Sequence, residues 1–227
     1  MEKTKYVLMN KDIPVASILA EKDEYVTTSY ALQETYGRLP FGCSNISKWI
    51  DNRKASSHNR HLREIMAKMG CEKTEGFLRM THAASLNDTF WIKNETENRS
   101  WKDISLYANR FSHIMQDLLI AGYGFGSITF SDTIPELTSD GSFRRCFKKE
   151  NDGIYIYKCG ADIGRNAGLE PYCEVMASEL YTAICKNAVT YELANIGDET
   201  TSKCALFTSE KIGFVPYKLI GDTTKGL

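Results

Sequence analysis

Between residues 143 and 208 four short strand-like runs, 143–147, 154–158, 189–195 and 202–208, are interrupted by one helical segment, "EPYCEVMASELYTAICKN". That order, two strands, one helix, two strands, constrains the fold more than any other feature of the chain. It calls for a mostly antiparallel sheet with a single helix against it. Within the helix Cys173, Met176, Ala177, Leu180 and Ile184 fall on one stripe, the pattern of an apolar face that packs. A further strand is expected at 127–130, just after Gly126. The class is therefore α+β. A boundary near Gly126 separates an N-terminal α/β part, residues 1–126, from the sheet-and-helix part, residues 127–227.

The N-terminal part mixes both element types. "KYVLMN" and "IPVASILA" read as two strands around a "KDIP" turn. Ser44 or Asn45 can cap a helix carrying Ile46, Trp49 and Ile50, and a second helix carries Leu62, Ile65 and Met66 before Gly70 stops it. "SLNDTFWIK" is aromatic and β-like. "FSHIMQDLLIAG" puts Phe111, Ile114, Met115, Leu118 and Leu119 on one helical stripe that Gly122 ends.

Composition narrows the function classes. The 227 residues are 42% hydrophobic and 25% charged, with a net charge of −1, so no global field recruits nucleic acid or an anionic membrane. No apolar run approaches the roughly 18 residues of a membrane span, and the N-terminus lacks the apolar core of a signal peptide; the expected location is the cytoplasm. Seven cysteines without a C-x-x-C pair read as reduced thiols, and the four histidines pair with none of them at metal-ligand spacing. Residues 41–80 carry eight Lys or Arg against four Asp or Glu, a solvated helical face rather than a surface for direct DNA binding.

Two motifs are decoys. "GYGFG", with Gly122, Gly124 and Gly126, follows a helix and precedes a strand, the reverse of the order a dinucleotide fingerprint needs. "HNRHLRE", residues 58–64, has the outline of a kinase catalytic loop, but Asn59 stands where the base aspartate belongs and cannot accept a proton.

The informative stretch is "SDGSFRRCFKKENDGIYIYKCG", residues 139–160. Alternation along its second strand places Ile154, Ile156 and Lys158 on one face and Tyr155 and Tyr157 on the other. A lysine that continues an apolar row needs a partner or an exit to water. Glu174, beside the stripe near the helix start, is the partner in reach if the helix packs on the face of Ile154 and Ile156. In front of the first strand, Thr138, Ser139, Asp140, Gly141 and Ser142 form a turn-rich loop able to aim N–H groups at phosphate oxygens. The residues alone leave two readings open: a nucleotide site, or an ordinary turn beside a structural ion pair.

"SLNDTFWI", "PELTSDGSFRRCF", "IYIYKCG", "EPYCEVMASEL" and "SKCALFTSE", in that order, resemble the HipA-like serine/threonine kinase family, which includes bacterial toxin–antitoxin kinases. "IPVASI", "LPFG" and the W-I-x-x-R of Trp49 to Arg53 extend the resemblance over nearly the whole chain. The resemblance implies an N-terminal subdomain over 1–126 and a kinase-like N-lobe with one αC-like helix over 127–227. "TSDGS" would be the phosphate loop, with Thr138 or Ser139 near the hydroxyl that some members phosphorylate on themselves. Lys158 would contact the ATP phosphates and Glu174 would hold it, while Ala205 to Phe207 would enter the hinge that pairs with adenine. ATP and Mg2+ are the implied cofactors.

A kinase also needs a base aspartate, a metal-binding asparagine and a metal-binding aspartate after the hinge. Twenty residues follow Phe207, with Asp222 their one aspartate and no asparagine among them. The expectation is the upper half of a kinase, inactive and weak for ATP by itself. Its expected partners are a kinase C-lobe, in cis or in trans, or a HipB-like helix-turn-helix antitoxin, and an apolar docking patch is expected near Ile212, Phe214 and Val215. The alternative is a non-catalytic regulatory or binding module of a toxin–antitoxin type system.

Overall fold

The computed structural model describes residues 2–22, 28–56, 60–117, 133–141, 143–164 and 166–217. Strands β1 (Glu2–Asn10), β2 (Ile13–Lys22), β3 (Thr28–Thr35) and β4 (Phe90–Asn94) form one antiparallel sheet in the order β3-β2-β1-β4. Helices α1 (Ile46–Asp51), α2 (Arg60–Lys68) and α3 (Thr74–Thr81) lie between β3 and β4 in the chain. Short helices α4 (Trp101–Ile104) and α5 (His113–Gln116) and a 3-10 turn, Pro135–Thr138, lead to the second sheet. That sheet takes β5 (Arg145–Glu150), β6 (Gly153–Cys159), β7 (Tyr191–Ile196) and β8 (Glu199–Ala205) in the order β5-β6-β8-β7, with α6 (Glu170–Ile184) between β6 and β7 in sequence. The protein is α+β, with two antiparallel sheets and short helices.

Local chemistry accounts for several boundaries. Asn45 caps α1, its side-chain oxygen accepting the Lys48 N–H at 2.9 Å, and Ile46, Trp49 and Ile50 are buried below it. The β1–β2 turn is pinned by Trp91, whose indole N–H donates to the Lys11 carbonyl at 2.7 Å. Arg53 joins α1 to the start of β4: its guanidinium stacks 3.9 Å from the Trp49 ring, donates to the Ala83 carbonyl at 2.8 Å and pairs with Asp88.

In β1, β4 and β5 successive residues feed two different cores. Leu8, Ile92 and Cys146 enter the first, with Trp49, Phe77, Leu137, Tyr157 and Cys159. Their neighbours Met9, Trp91 and Phe147 enter the second, with Trp101, Ile104 and Phe111. Both cores draw on residues from each side of position 126. The expected boundary, the 127–130 strand, the "GYGFG" turn, Asn59 and Ser142 lie outside the described residues, as do Leu118 and Leu119 of the predicted helix.

One expectation is corrected. The stripe of α6 does not pack: Met176, Leu180 and Ile184 are exposed, as are Cys173 and Ala177, and within the helix only Pro171 and Ser178 are buried. The cause is polar. Glu174 contacts Lys158 and Ser202, and the Ser178 hydroxyl oxygen accepts the Tyr191 N–H at 3.1 Å, so the Glu174–Ser178 side turns to the sheet. Ile154 and Ile156 pack on the second core instead.

Gly76 tests the packing of α3. A Cβ there would sit 1.8 Å from the Gly70 carbonyl oxygen, a backbone atom that cannot swing aside. Helix propensity favours Gly76→Ala by about 1 kcal/mol, whereas overpacking costs about 1–3 kcal/mol or more. The variant is expected to melt at lower temperature than the wild type in a calorimetric scan; a higher melting temperature would mean that the two backbone segments separate freely.

Candidate functional site

The site is assembled by strand register. The β5–β6 hairpin turns at Asn151–Asp152, with Glu150 opposite Gly153, and counting back sets Arg145 opposite Lys158. Lys158 in turn faces Ser202 on β8. Directly opposed residues share a face, so Arg145, Lys158 and Ser202 project to the same side of the sheet.

On that side α6 delivers Glu174. Lys158 Nζ lies 3.0 Å from Glu174 Oε1, donates to the Tyr191 hydroxyl at 2.8 Å and sits 4.6 Å from the centre of the Tyr191 ring. The second carboxylate oxygen of Glu174 accepts the Ser202 hydroxyl. Burial by itself depresses the Lys158 ammonium; the Tyr191 hydroxyl and the Glu174 carboxylate outweigh it, and the net shift is upward. The sequence places this lysine and this glutamate in reach of each other, and the structure brings them into contact. Sixteen residues apart in the chain, they are joined by the way α6 lies across β6, β8 and β7.

The loop before β5 lies at the same end of the sheet. Thr138 is buried at the end of the 3-10 turn, its hydroxyl donating to the Pro135 carbonyl at 3.2 Å, and the Ser139 hydroxyl donates to the Glu136 carbonyl at 3.0 Å. Both hydroxyls are therefore turned back into the turn. Gly141 adopts φ +130°, and the Arg145 guanidinium passes where a Cβ would stand while donating to the Asp140 carbonyl. The positive φ favours glycine there.

Arg145 is the functional candidate that sequence reasoning missed. The "ENDG" hairpin turn carried the signal, because it fixes the pairing of Arg145 with Lys158. Two cations directly opposed on a sheet repel. Here Glu174 lowers that cost from one side and Asp140 from the other, both acting on Arg145. Two cations and two carboxylates, next to a glycine turn, form a charged cluster at this end of the sheet.

The expected hinge residues lie at the far end of β8. Ala205 is exposed opposite Tyr155, the Leu206 N–H donates to the Ile154 carbonyl at 2.8 Å, and Phe207, half exposed, meets Phe214 edge-on at 5.3 Å. Ser202 and Ala205 are three positions apart, a span of about 10 Å along the strand. That is the scale of the distance between a nucleotide's base and its phosphates. Between the loop and the chain after β8 lies a cavity of about 200 Å³ lined by Thr138, Asp140, Trp49, Arg53, Phe214 and Val215 among others. The larger cavity, about 590 Å³, belongs to the N-terminal sheet and touches none of the predicted site residues.

No protein-family model matches the chain, and no curated protein matches it. Among the described residues no group of three or more His, Cys, Asp or Glu is placed to hold a metal ion, and no helix is long and apolar enough to cross a membrane. All seven cysteines are free thiols; Cys43, Cys71, Cys146, Cys159 and Cys204 are buried, and Cys173 and Cys185 are exposed.

Glu136 anchors the loop from inside. Its carboxylate is fully buried, accepts the Phe147 N–H at 2.9 Å, and is pushed up to about 7 by burial. Because its folded value lies above the ordinary 4.5, the unfolded chain gives up this proton first. Glu136 therefore stabilises the fold less as pH rises from about 4.5 to about 7. The difference in unfolding free energy between wild type and Glu136→Gln is expected to shift in favour of the variant across this window. A pH-independent difference in urea melts would place the carboxyl's titration elsewhere.

Proposed function

We propose that this chain is the N-terminal portion of a HipA-like serine/threonine kinase: an N-terminal subdomain followed by a kinase-like N-lobe that carries the phosphate loop and the ATP lysine. The observation that carries the reading is the Lys158–Glu174 contact at 3.0 Å across the β6–α6 junction. Protein kinases use a strand lysine held by a helix glutamate to orient the nucleotide phosphates. The glycine turn at 141 and the added cation of Arg145, both at that end of the sheet, support the same reading.

The residues fit the phosphate end of ATP. Lys158 and Arg145 would hold phosphate oxygens, Glu174 would keep the Lys158 ammonium aimed, and Gly141 would let backbone N–H groups approach. The Ala205–Phe207 backbone would pair with adenine. Bound ATP supplies the phosphoryl group that a kinase transfers. The 20 residues after Phe207 contribute one aspartate and no asparagine, so the base and the Mg2+ ligands of a kinase are not supplied by these 227 residues. Were Ser139 or Thr138 to accept a phosphoryl group, its bond to a turn carbonyl would first have to open.

A kinase C-lobe, in cis or in trans, would cover the apolar chain after the hinge. Ile212, Phe214 and Val215 are exposed there, beside Phe207. That exposure also favours a second reading, a non-catalytic binding module of a toxin–antitoxin type system that docks a HipB-like helix-turn-helix antitoxin with the same surface.

The test joins or mixes the chain with a HipA-type C-lobe and follows ATP-dependent phosphorylation. Activity is expected only in the combined protein. Lys158→Ala is expected to lower it about 100-fold or more, the effect of removing one preorganised charge contact. Combined protein that folds but does not phosphorylate, while the chain alone captures the antitoxin, would replace the kinase reading with the second one.

A further inference from the structure

The cavity of about 590 Å³ over the first sheet is built on alternate residues of one sheet face. Thr4 and Tyr6 of β1, Ala20 of β2 and Ile92 of β4 line it from the sheet, and α3 closes it with Leu78, Arg79 and, at its end, His82. Its volume falls within the range of small-molecule sites, about 300 to about 1,000 Å³. We propose that it binds a small 2-amino or 2-hydroxy carboxylic acid with an apolar side chain, whose carboxylate meets Arg79 and whose amino or hydroxyl hydrogen meets His82.

His82 is 8% exposed and is held by both main-chain groups of Ile92. Its carbonyl oxygen accepts the Ile92 N–H at 2.7 Å, and its Nδ1 lies 3.1 Å from the Ile92 carbonyl oxygen. A carbonyl only accepts, so Nδ1 carries the proton and Nε2 keeps a lone pair. That nitrogen has no hydrogen-bond partner among the described residues, and the ring lines the cavity. Burial lowers the ring's tendency to take a second proton, against the opposing pull of Glu97, 3.7 Å from Nδ1. His82 holds φ +51° at the end of α3, and Ala83 follows at +52°. Such backbone in non-glycine residues persists only where the surroundings hold it, and it clusters at ligand sites.

The charges around the cavity leave a place for a carboxylate. Glu75 accepts the Thr28 hydroxyl and Glu97 pairs with Arg99 at 2.7 Å, while Glu2 stands exposed at the start of β1. Arg79 has no carboxylate partner among the described residues, and neither have Lys22 and Lys73, which also line the cavity. A guanidinium fork takes a carboxylate through two hydrogen bonds. Arg79 and His82 are three residues apart and line the same two cavities, this one and a neighbour of about 270 Å³. A ligand that meets both therefore carries its hydrogen-bond donor beside its carboxylate, on the 2-carbon. Ala20, Leu78, Ile92 and the Tyr6 ring offer apolar surface to its side chain. Lys158 and the 138–141 loop lie outside this cavity, so nothing here rests on the kinase reading.

The test is long-range proton–nitrogen NMR of the four histidines in the full chain. The free protein is expected to show His82 neutral with Nδ1 protonated, a signal that His82→Asn removes; asparagine tolerates the left-handed backbone. Titrations to about 10 mM reach the weak affinities of ligands of about a dozen non-hydrogen atoms. L-Phenylalanine or 3-phenyllactate is expected to move the Nε2 resonance of His82. It is expected to bind about tenfold more tightly than 3-phenylpropanoate, which lacks the donor, or 2-phenylethylamine, which lacks the carboxylate. Arg79→Gln is expected to weaken binding about tenfold or more with an unchanged melting temperature, since the side chain is exposed; it decides the matter should His82→Asn lose its fold. An Nε2-protonated His82, a resonance that none of the four probes moves, or a truncated probe that binds as tightly as the whole one would each overturn the site. So would binding unchanged in Arg79→Gln. A peptide ending in phenylalanine that moves the resonance where the free acids do not would give the cavity to a protein tail instead.

Discussion

A single ammonium on the inner side of the second sheet sets the attitude of α6. Lys158 is only about a quarter exposed, and Glu174 is the carboxylate that meets it. Holding Glu174 there fixes the rotation of the helix, and Ser178, one turn on, falls into place against the Tyr191 N–H. An unpaired buried charge costs about 3–5 kcal/mol. Yet burying any one large apolar side chain contributes about 1.5–3 kcal/mol, and the helix leaves several of them outside. The contacts of Glu174 and Ser178 set the rotation, and the apolar stripe is left on the outer side.

The other face of the same arrangement is electrostatic. Register forces Arg145 and Lys158 into direct opposition, and one glutamate serves both. Glu136, buried behind the turn, ties the loop to the Phe147 N–H and leaves it little freedom to collapse onto the cations.

Much of this was legible in the sequence for identifiable reasons. Alternation gave β6 and the direction of Lys158, and helical spacing gave α6 and the position of Glu174. The same spacing gave the stripe but not its direction, because periodicity shows which residues share a face and is silent on which face is covered. The third strand and α3 left weaker signals: β3 alternates poorly, with Glu34 and Thr35 exposed at its end, and the N-cap before α3 is Lys73, which makes no side-chain cap. Arg145 was written in the "ENDG" turn, but only register arithmetic makes it visible. The last strand, β8, lies three residues toward the N-terminus of its expected place; Leu206 packs on the second core and Phe207 turns to Phe214.

The two cores carry a consequence for how the chain acquires its structure. Leu8 and Ile18 share the first core with Leu137, Tyr157 and Ile196, contacts that span well over 100 residues of sequence. Such contacts close large loops before they return any stabilisation, which slows folding. As the chain emerges from the ribosome, its first sheet is complete in sequence by Asn94 while the side chains that roof it have yet to be made. The N-terminal half must therefore wait, partly uncovered, for the C-terminal half, and that interval is when a chaperone would find it.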